Sequence, residues 1–126
     1  IVGVLPRAEN AKALLARVKS IFDVEALRYS DIPSEDMMVR KVAVCTGAGR
    51  SNIGDALAAG AELYITADLR YSDFMMGDNR MILADIGHFE SEFCAIRILY
   101  DVLSKKMCNF AVRKSANSRN PIHYLV

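Results

Sequence analysis

The stretch Asp85-Ile86-Gly87-His88-Phe89-Glu90-Ser91-Glu92 decides how the chain is read, because one periodicity ends in it and another begins. Upstream, Met81-Ile82-Leu83-Ala84 is short, apolar and continuous, the pattern of a buried strand. Downstream, Phe93, Ile96, Leu99, Tyr100 and Leu103 recur at intervals of three and four, which predicts a helix from about His88 to Lys105. Gly87 is then the strand-to-helix turn. His88 and Glu92 stand one turn apart on one helical face, with an imidazole and a carboxylate aimed into one space. Such a pair can hold a metal ion, and the same spacing also makes an ordinary surface contact worth ~0.2–0.5 kcal/mol. Its place at the carboxyl end of a strand, where open α/β sheets build ligand sites, favours the metal. Glu90 projects away from Glu92 and is expected in solvent.

Working outward, Leu63-Tyr64-Ile65-Thr66 and Lys41 to Thr46 read as further core strands, with a short helix at Ile53 to Ala59 between them. Ile1 to Leu5 starts as an apolar strand. From Ala8 to Phe22 the apolar Ala11, Leu14, Leu15, Val18, Ile21 and Phe22 fall at helical spacing, predicting an amphipathic helix packed on a sheet. Val24 to Tyr29 is expected as a strand and Ser30 to Met38, with Pro33, as a surface loop. Phe110 to Val112 and His123 to Val126 read as closing strands flanking the polar run Arg113 to Asn120. His123 has no acidic neighbour in sequence and is expected to be structural. Strands alternating with helices imply a layered α/β domain with a mixed sheet covered by helices.

Asp68 lies just past the strand that ends at Thr66. It can orient a neighbouring histidine or a bound water through a hydrogen bond, and it can equally serve as the N-cap of a short helix starting near Leu69. The segment Thr46-Gly47-Ala48-Gly49-Arg50-Ser51-Asn52 lets a backbone approach a ligand. It lacks the GxxxxGK[ST] pattern of a phosphate loop, and a tight structural turn is its plainer reading.

The 126 residues suffice for one domain with its own core. A net charge of +1 gives no concentrated basic face, so general nucleic-acid affinity is not expected. No apolar run approaches the ~20 residues that cross a bilayer, and no signal-peptide pattern is present, so a soluble, cytoplasmic protein is expected. Cys45, Cys94 and Cys108 are odd in number and far apart, which argues for free thiols against a disulfide framework or a zinc knuckle.

Three segments in order carry a resemblance: Val42-Ala43-Val44-Cys45-Thr46-Gly47-Ala48-Gly49, then Ala58 to Asp68, then Gly87-His88-Phe89-Glu90-Ser91-Glu92. Their order and spacing resemble the carboxyl-terminal half of the Ngg-interacting-factor-like proteins, often labelled GTP cyclohydrolase I type 2 homologs. The resemblance implies that His88 and Glu92 are two ligands of a dinuclear site for divalent ions, Zn, Mn or Fe. It also implies that residues 1–126 form a single domain, the carboxyl-terminal part of a longer chain whose amino-terminal half holds a histidine pair and an aspartate. The family's threonine-glycine-aspartate and tyrosine-histidine-aspartate appear here as Thr66-Ala67-Asp68 and Tyr71-Ser72-Asp73, so Ser72 replaces a histidine.

The implied activity is metal-dependent hydrolysis with Asp68 as orienting group or base, on a nucleotide or another small molecule; the fragment by itself is expected to be inactive. The competing expectation is a non-enzymatic, metal-binding assembly or interaction domain. Homo-oligomers are implied by the resemblance, and Phe74-Met75-Met76 offers an apolar segment for such contacts.

Overall fold

The computed structural model describes residues 1–125. Its strands are β1 (Val2–Asn10), β2 (Arg28–Tyr29), β3 (Met38–Ala48), β4 (Leu63–Ala67) and β5 (Ile82–Asp85). Its helices are α1 (Ala11–Ile21), α2 (Ile53–Ala58), α3 (His88–Glu92) and α4 (Cys94–Lys106), with 3-10 turns at Arg50–Asn52 and Tyr71–Gly77. The strands form one sheet in the order β1-β3-β4-β5-β2. The central pairs β3–β4 and β4–β5 are parallel, while β1 on β3 and β2 on β5 are antiparallel. The mixed sheet with helices on its faces is the expected α/β class.

Period-two alternation explains the two layers. Leu63 and Ile65 of β4, with Ile82 and Ala84 of β5, face a core shared with Leu14, Leu15 and Val18 of α1. Tyr64 and Leu83, the residues between, face a second core with Ile53 and Ala56 of α2. Every residue of β4 and β5 is therefore buried, as central parallel strands covered on both sides must be. Each fully buried aliphatic side chain contributes ~1.5–3 kcal/mol. The exposed Arg17–Glu9 ion pair at 2.8 Å contributes at most ~1 kcal/mol. The apolar stripe, not the ion pair, seats α1.

Several boundaries differ from the sequence reading. The first helix begins at Ala11 because β1 continues through Glu9 and Asn10, paired with Val39 and Met38. The Asn10 side chain then accepts from the backbone N–H groups of Lys12 (3.0 Å) and Ala13 (3.3 Å), capping the helix. The strand expected over Val24 to Tyr29 shrinks to Arg28–Tyr29, which pairs with Asp85 and Ala84. The predicted long helix divides at Phe93, where a tighter bond from the Ile96 N–H to the Phe93 carbonyl (3.3 Å) marks the junction.

The expected closing strands are not found. Residues 110–112 and 123–125 lie outside any strand, and Val126 lies outside the described residues. The segment after α4 turns back onto the helices, where the Asn120 amide donates to Glu90 (2.8 Å). Short β-prone segments become strands only when a sheet edge receives them, and this one meets helices instead. α4 contains no fully buried residue, so its apolar periodicity does not serve the core.

Two carboxylates tie the sheet margins together. Glu62 accepts from the backbone N–H groups of Lys41 (2.9 Å) and Arg40 (2.7 Å), which hold it below its ordinary value of 4.5. Asp73 accepts from the Arg70 N–H (2.8 Å) and the Arg50 guanidinium (2.7 Å), which hold it below 3.8. A carboxylate lowered in the folded state stabilises above its unfolded value and loses that contribution as pH falls through the folded one. The chain is expected to melt cooperatively near neutral pH and to lose stability progressively below about pH 4. Glu62→Gln is expected to cost about 1 kcal/mol at neutral pH and to flatten part of the acid loss. Circular dichroism melts across pH test both statements, and an acid profile identical to the unaltered chain would exclude Glu62 as a contributor.

Candidate metal centre

Three backbone reversals at the carboxyl ends of the parallel strands meet at one end of the sheet: Gly47 to Gly49 at the end of β3, Asp68 after β4, and Ile86–Gly87 after β5. This is where the strand order predicts a ligand site. The Asp85 carboxylate, only 4% exposed, organises two of the three. It accepts from the Leu69 N–H (2.9 Å) and the Gly87 N–H (3.0 Å), and pairs with the Arg28 guanidinium. Asp68 and His88 are the chain neighbours of those two donors, so one buried carboxylate sets the spacing between them.

His88 opens α3 directly after Gly87, whose φ of +86° is open to glycine and strained for other residues. A Cβ at Gly87 would also collide with the Glu90 carboxylate. The His88 ring is about half exposed and lies between two carboxylates. Its Nδ1 is 2.6 Å from Asp68 Oδ2, and its Nε2 is 3.2 Å from Glu92 Oε2. Asp68 above all, and Glu92 after it, raise the imidazole above its ordinary value of 6.5. The structure thus brings His88, Glu92 and Asp68 together, and of the two positions the sequence left open to Asp68 it takes the one beside the histidine.

Asp68 does not cap a helix. It takes a left-handed φ of +58°, tolerable for a short polar side chain, and the following 3-10 turn starts only at Tyr71 with Asp73 serving its first N–H. Ser72, where the resembling family carries histidine, is exposed. Glu90 is not solvated as expected: it is partly buried and receives the Asn120 amide.

The glycine loop wraps the other side of the pair. A Cβ at Gly47 (φ +63°) would come within 2.6 Å of Glu92 Oε1 and 3.4 Å of the His88 ring. The Gly47 N–H donates to Ser91 Oγ (2.8 Å), which donates to the His88 carbonyl (2.8 Å). Thr66 Oγ1 accepts from the Gly49 N–H (3.0 Å) and donates to the Gly47 carbonyl (3.1 Å). The Tyr64 hydroxyl donates to the Gly49 carbonyl (2.7 Å), and burial pushes this phenol up to about 12, keeping it a neutral donor. Sequence reasoning missed Asp85, Ser91, Thr66 and Tyr64 as the residues that fix the site. The one signal available was a small polar residue, Ser91, in an otherwise large-residue helical turn.

Among the described residues, no group of three or more His, Cys, Asp or Glu side chains is arranged to hold an ion. The donor set at this end of the sheet is His88 Nε2 and Glu92, with Asp68 behind the imidazole. Cys45 is half-buried with the Asn52 amide 3.3 Å from its sulfur, and Cys94 and Cys108 are exposed; all three are free thiols.

Comparison with known proteins agrees with this architecture. Residues 1–121 match the model of the Duf34/NIF3 (NGG1p interacting factor 3) family. A Streptococcus pneumoniae protein named GTP cyclohydrolase 1 type 2 homolog is 33% identical over 120 residues, covering 89% of this chain and 44% of its own length. A Bacillus subtilis protein of the same name is 32% identical over 136 residues, covering 98% of this chain and 34% of its own. The chain thus spans less than half the length of these relatives. Among solved structures, the Staphylococcus aureus hypothetical protein SA1388 shares the fold with a TM-score of 0.86 at 19% identity, over 98% of this chain and 42% of that one. A Bacillus cereus protein related to NIF3 superposes with a TM-score of 0.77 at 25% identity, over 98% of this chain and 35% of that one. With the family model covering nearly the whole sequence, the chain belongs to the Duf34/NIF3 (NGG1p interacting factor 3) family.

Proposed function

We propose that this chain supplies one side of a divalent-metal site in a metal-dependent, hydrolase-like protein, with His88 Nε2 and Glu92 as ligands. The observation that carries the reading is the contact between His88 Nδ1 and Asp68 at 2.6 Å. A ligating histidine characteristically gives its other ring N–H to a carboxylate, which fixes the tautomer and makes the free nitrogen a better donor. Here the free nitrogen is Nε2, and it faces Glu92. The donor types, one imidazole and one carboxylate, suit Zn, Mn or Fe.

A divalent ion, when bound, supplies Lewis acidity toward water or a polarised substrate atom. Asp68 holds the imidazole in the productive tautomer, and Glu92 contributes the negative charge that favours a dication. Gly47 leaves room for the Glu92 carboxylate, and Ser91 locks the glycine loop onto α3. Two donors fall short of the four or more that such ions take, so the remaining ligands of a complete, dinuclear site come from outside this donor set. The relatives' name, GTP cyclohydrolase 1 type 2 homolog, points to a nucleotide as the substrate of the complete protein.

One observation favours a second reading, in which assembly is the function. α4 leaves Ile98, Leu99, Val102 and Leu103 exposed, and Met75 on the 3-10 turn is 71% exposed. Such a surface suits contacts between copies or with another protein. Light scattering of the chain separates the readings, a monomer without concentration dependence counting against assembly.

The chain as it stands is expected to bind zinc weakly, without a stoichiometric endpoint in calorimetry. Tight one-to-one binding would mean that the chain itself supplies further donors, Asp85 being the first to test. In a protein with the full ligand set, His88→Ala and Glu92→Gln are each expected to empty one metal position with little loss of stability. Asp68→Asn is expected to weaken metal affinity or activity by about 10–100-fold without emptying the site. Metal content measured beside hydrolysis checks all three, and full metal occupancy in His88→Ala would refute the proposal.

Gly47→Ala is expected to cost about 1–3 kcal/mol through its positive φ and to displace Glu92. Thermal melts read the first effect and the Glu92 carboxyl signal in nuclear magnetic resonance reads the second. An unshifted Glu92 signal would contradict the close packing of the loop on the carboxylate.

A further inference from the structure

Beside the His88–Glu92 pair, and not used by it, lies a cavity of about 330 Å³ between the two helices α3 and α4 and the returning carboxyl-terminal segment. Phe89, Phe93 and Ile96 form its helical wall; Pro121 and Ile122 form the facing one. The two phenyl rings are stacked with centroids 4.8 Å apart. The facing wall is fixed in place by Asn120. Its amide donates to Glu90 Oε1 (2.8 Å) and its carbonyl oxygen accepts from the Ile122 N–H (3.0 Å). Both ends of the Asn120 side chain are thereby used, so this residue positions the wall.

The lining has a distinct chemistry. Its side chains are mostly aromatic or aliphatic, none is Lys or Arg, and its ionisable members are His88 and Glu92 at one edge. A charged phosphate chain placed against it would give up part of its hydration with no Lys or Arg in the lining to replace it and with the Glu92 carboxylate at its edge. A flat, uncharged ring loses little hydration and gains contact with the Phe89–Phe93 stack and the aliphatic side chains facing it. The volume lies at the small end of ligand pockets, which span ~300–1,000 Å³, and suits one ring system.

We propose that this cavity binds the uncharged aromatic or heteroaromatic ring of a small-molecule substrate, so that the bond to be hydrolysed projects over the His88–Glu92 edge. The inference rests on the metal-site reading for the direction of that bond, and stands independently of it for the ring. Phe93, Ile96 and Ile122 are then the residues that select the ring, and any phosphate or carboxylate of the substrate lies outside the cavity.

Indole serves as the probe, titrated into the chain labelled at isoleucine methyl groups and followed by nuclear magnetic resonance. Saturable shifts confined to the methyls of Ile96 and Ile122 are expected. Benzoate, a ring of similar size carrying a charge, is expected to bind at least about tenfold more weakly, since no Lys or Arg in the lining compensates its carboxylate and Asp68 and Glu92 already flank the one imidazole. Phe93→Ala, at a half-exposed position that leaves the core intact, and Ile122→Asp are each expected to weaken indole by about tenfold or more.

Zinc titrated into Phe93→Ala is expected to act on the His88 ring signals as weakly as in the unaltered chain, because Phe93 is not among the metal donors. The ring site can therefore fail while the weak zinc response is unchanged, and the zinc response can be absent while indole still binds, which separates the two readings. Absence of saturable shifts, equal binding of benzoate, or indole affinity unchanged in both Phe93→Ala and Ile122→Asp would overturn the inference.

Discussion

The candidate site depends first on a single buried carboxylate. Asp85 is nearly inaccessible to water, and an unpaired charge in that position would cost several kcal/mol. It is instead surrounded by the Arg28 guanidinium and the N–H groups of Leu69 and Gly87. These donors belong to three separate segments: the edge strand β2, the turn after β4 and the turn after β5. Satisfying one charge therefore fixes three segments at once. Because Asp68 precedes Leu69 and His88 follows Gly87, the distance between Asp68 and the imidazole is a consequence of that network.

The second constraint is the close approach of the glycine loop to α3. Glu92 and a Cβ at Gly47 would claim the same space, so the side chain is absent from the loop and present on the helix. Ser91, Thr66 and Tyr64 then satisfy the polar atoms of the loop from below, each through a buried hydrogen bond. Leaving such groups unpaired would cost ~1–3 kcal/mol each, so these hydrogen bonds hold the loop to α3 and β4. A rigid support beneath a half-exposed histidine and carboxylate is the arrangement that ligand positions need.

Where these constraints end, packing loosens. α4 extends beyond the sheet with no fully buried side chain, and its thirteen residues would be marginal as an isolated helix in water. Ile96 and Tyr100 are partly covered by the carboxyl-terminal segment, and the Lys114 ammonium lies over the Tyr100 ring at 5.0 Å. That segment gives up β structure to cover the helices, and in doing so it creates the apolar cavity next to His88.

Local pattern alone was enough to read the α/β class, the buried central strands, an amphipathic first helix and the placing of His88 and Glu92 on one helical face. These follow from local periodicity: alternation of two for a sheet face, three and four for a helix face, and one helical turn between an imidazole and a carboxylate. Its position just past a strand left Asp68 open between orienting a histidine and capping a helix. What depends on contacts between distant residues emerges only once the fold is assembled. β1 runs on to Asn10 because β3 lies beside it, and the closing strands at residues 110–112 and 123–125 do not form because no sheet edge receives them. Asp68 turns toward His88, and not toward a helix N-terminus, because its neighbour Leu69 is bound by Asp85, a residue sixteen positions further along the chain. No pattern within a local window encodes such a bond, since its energy exists only once β4 and β5 lie side by side.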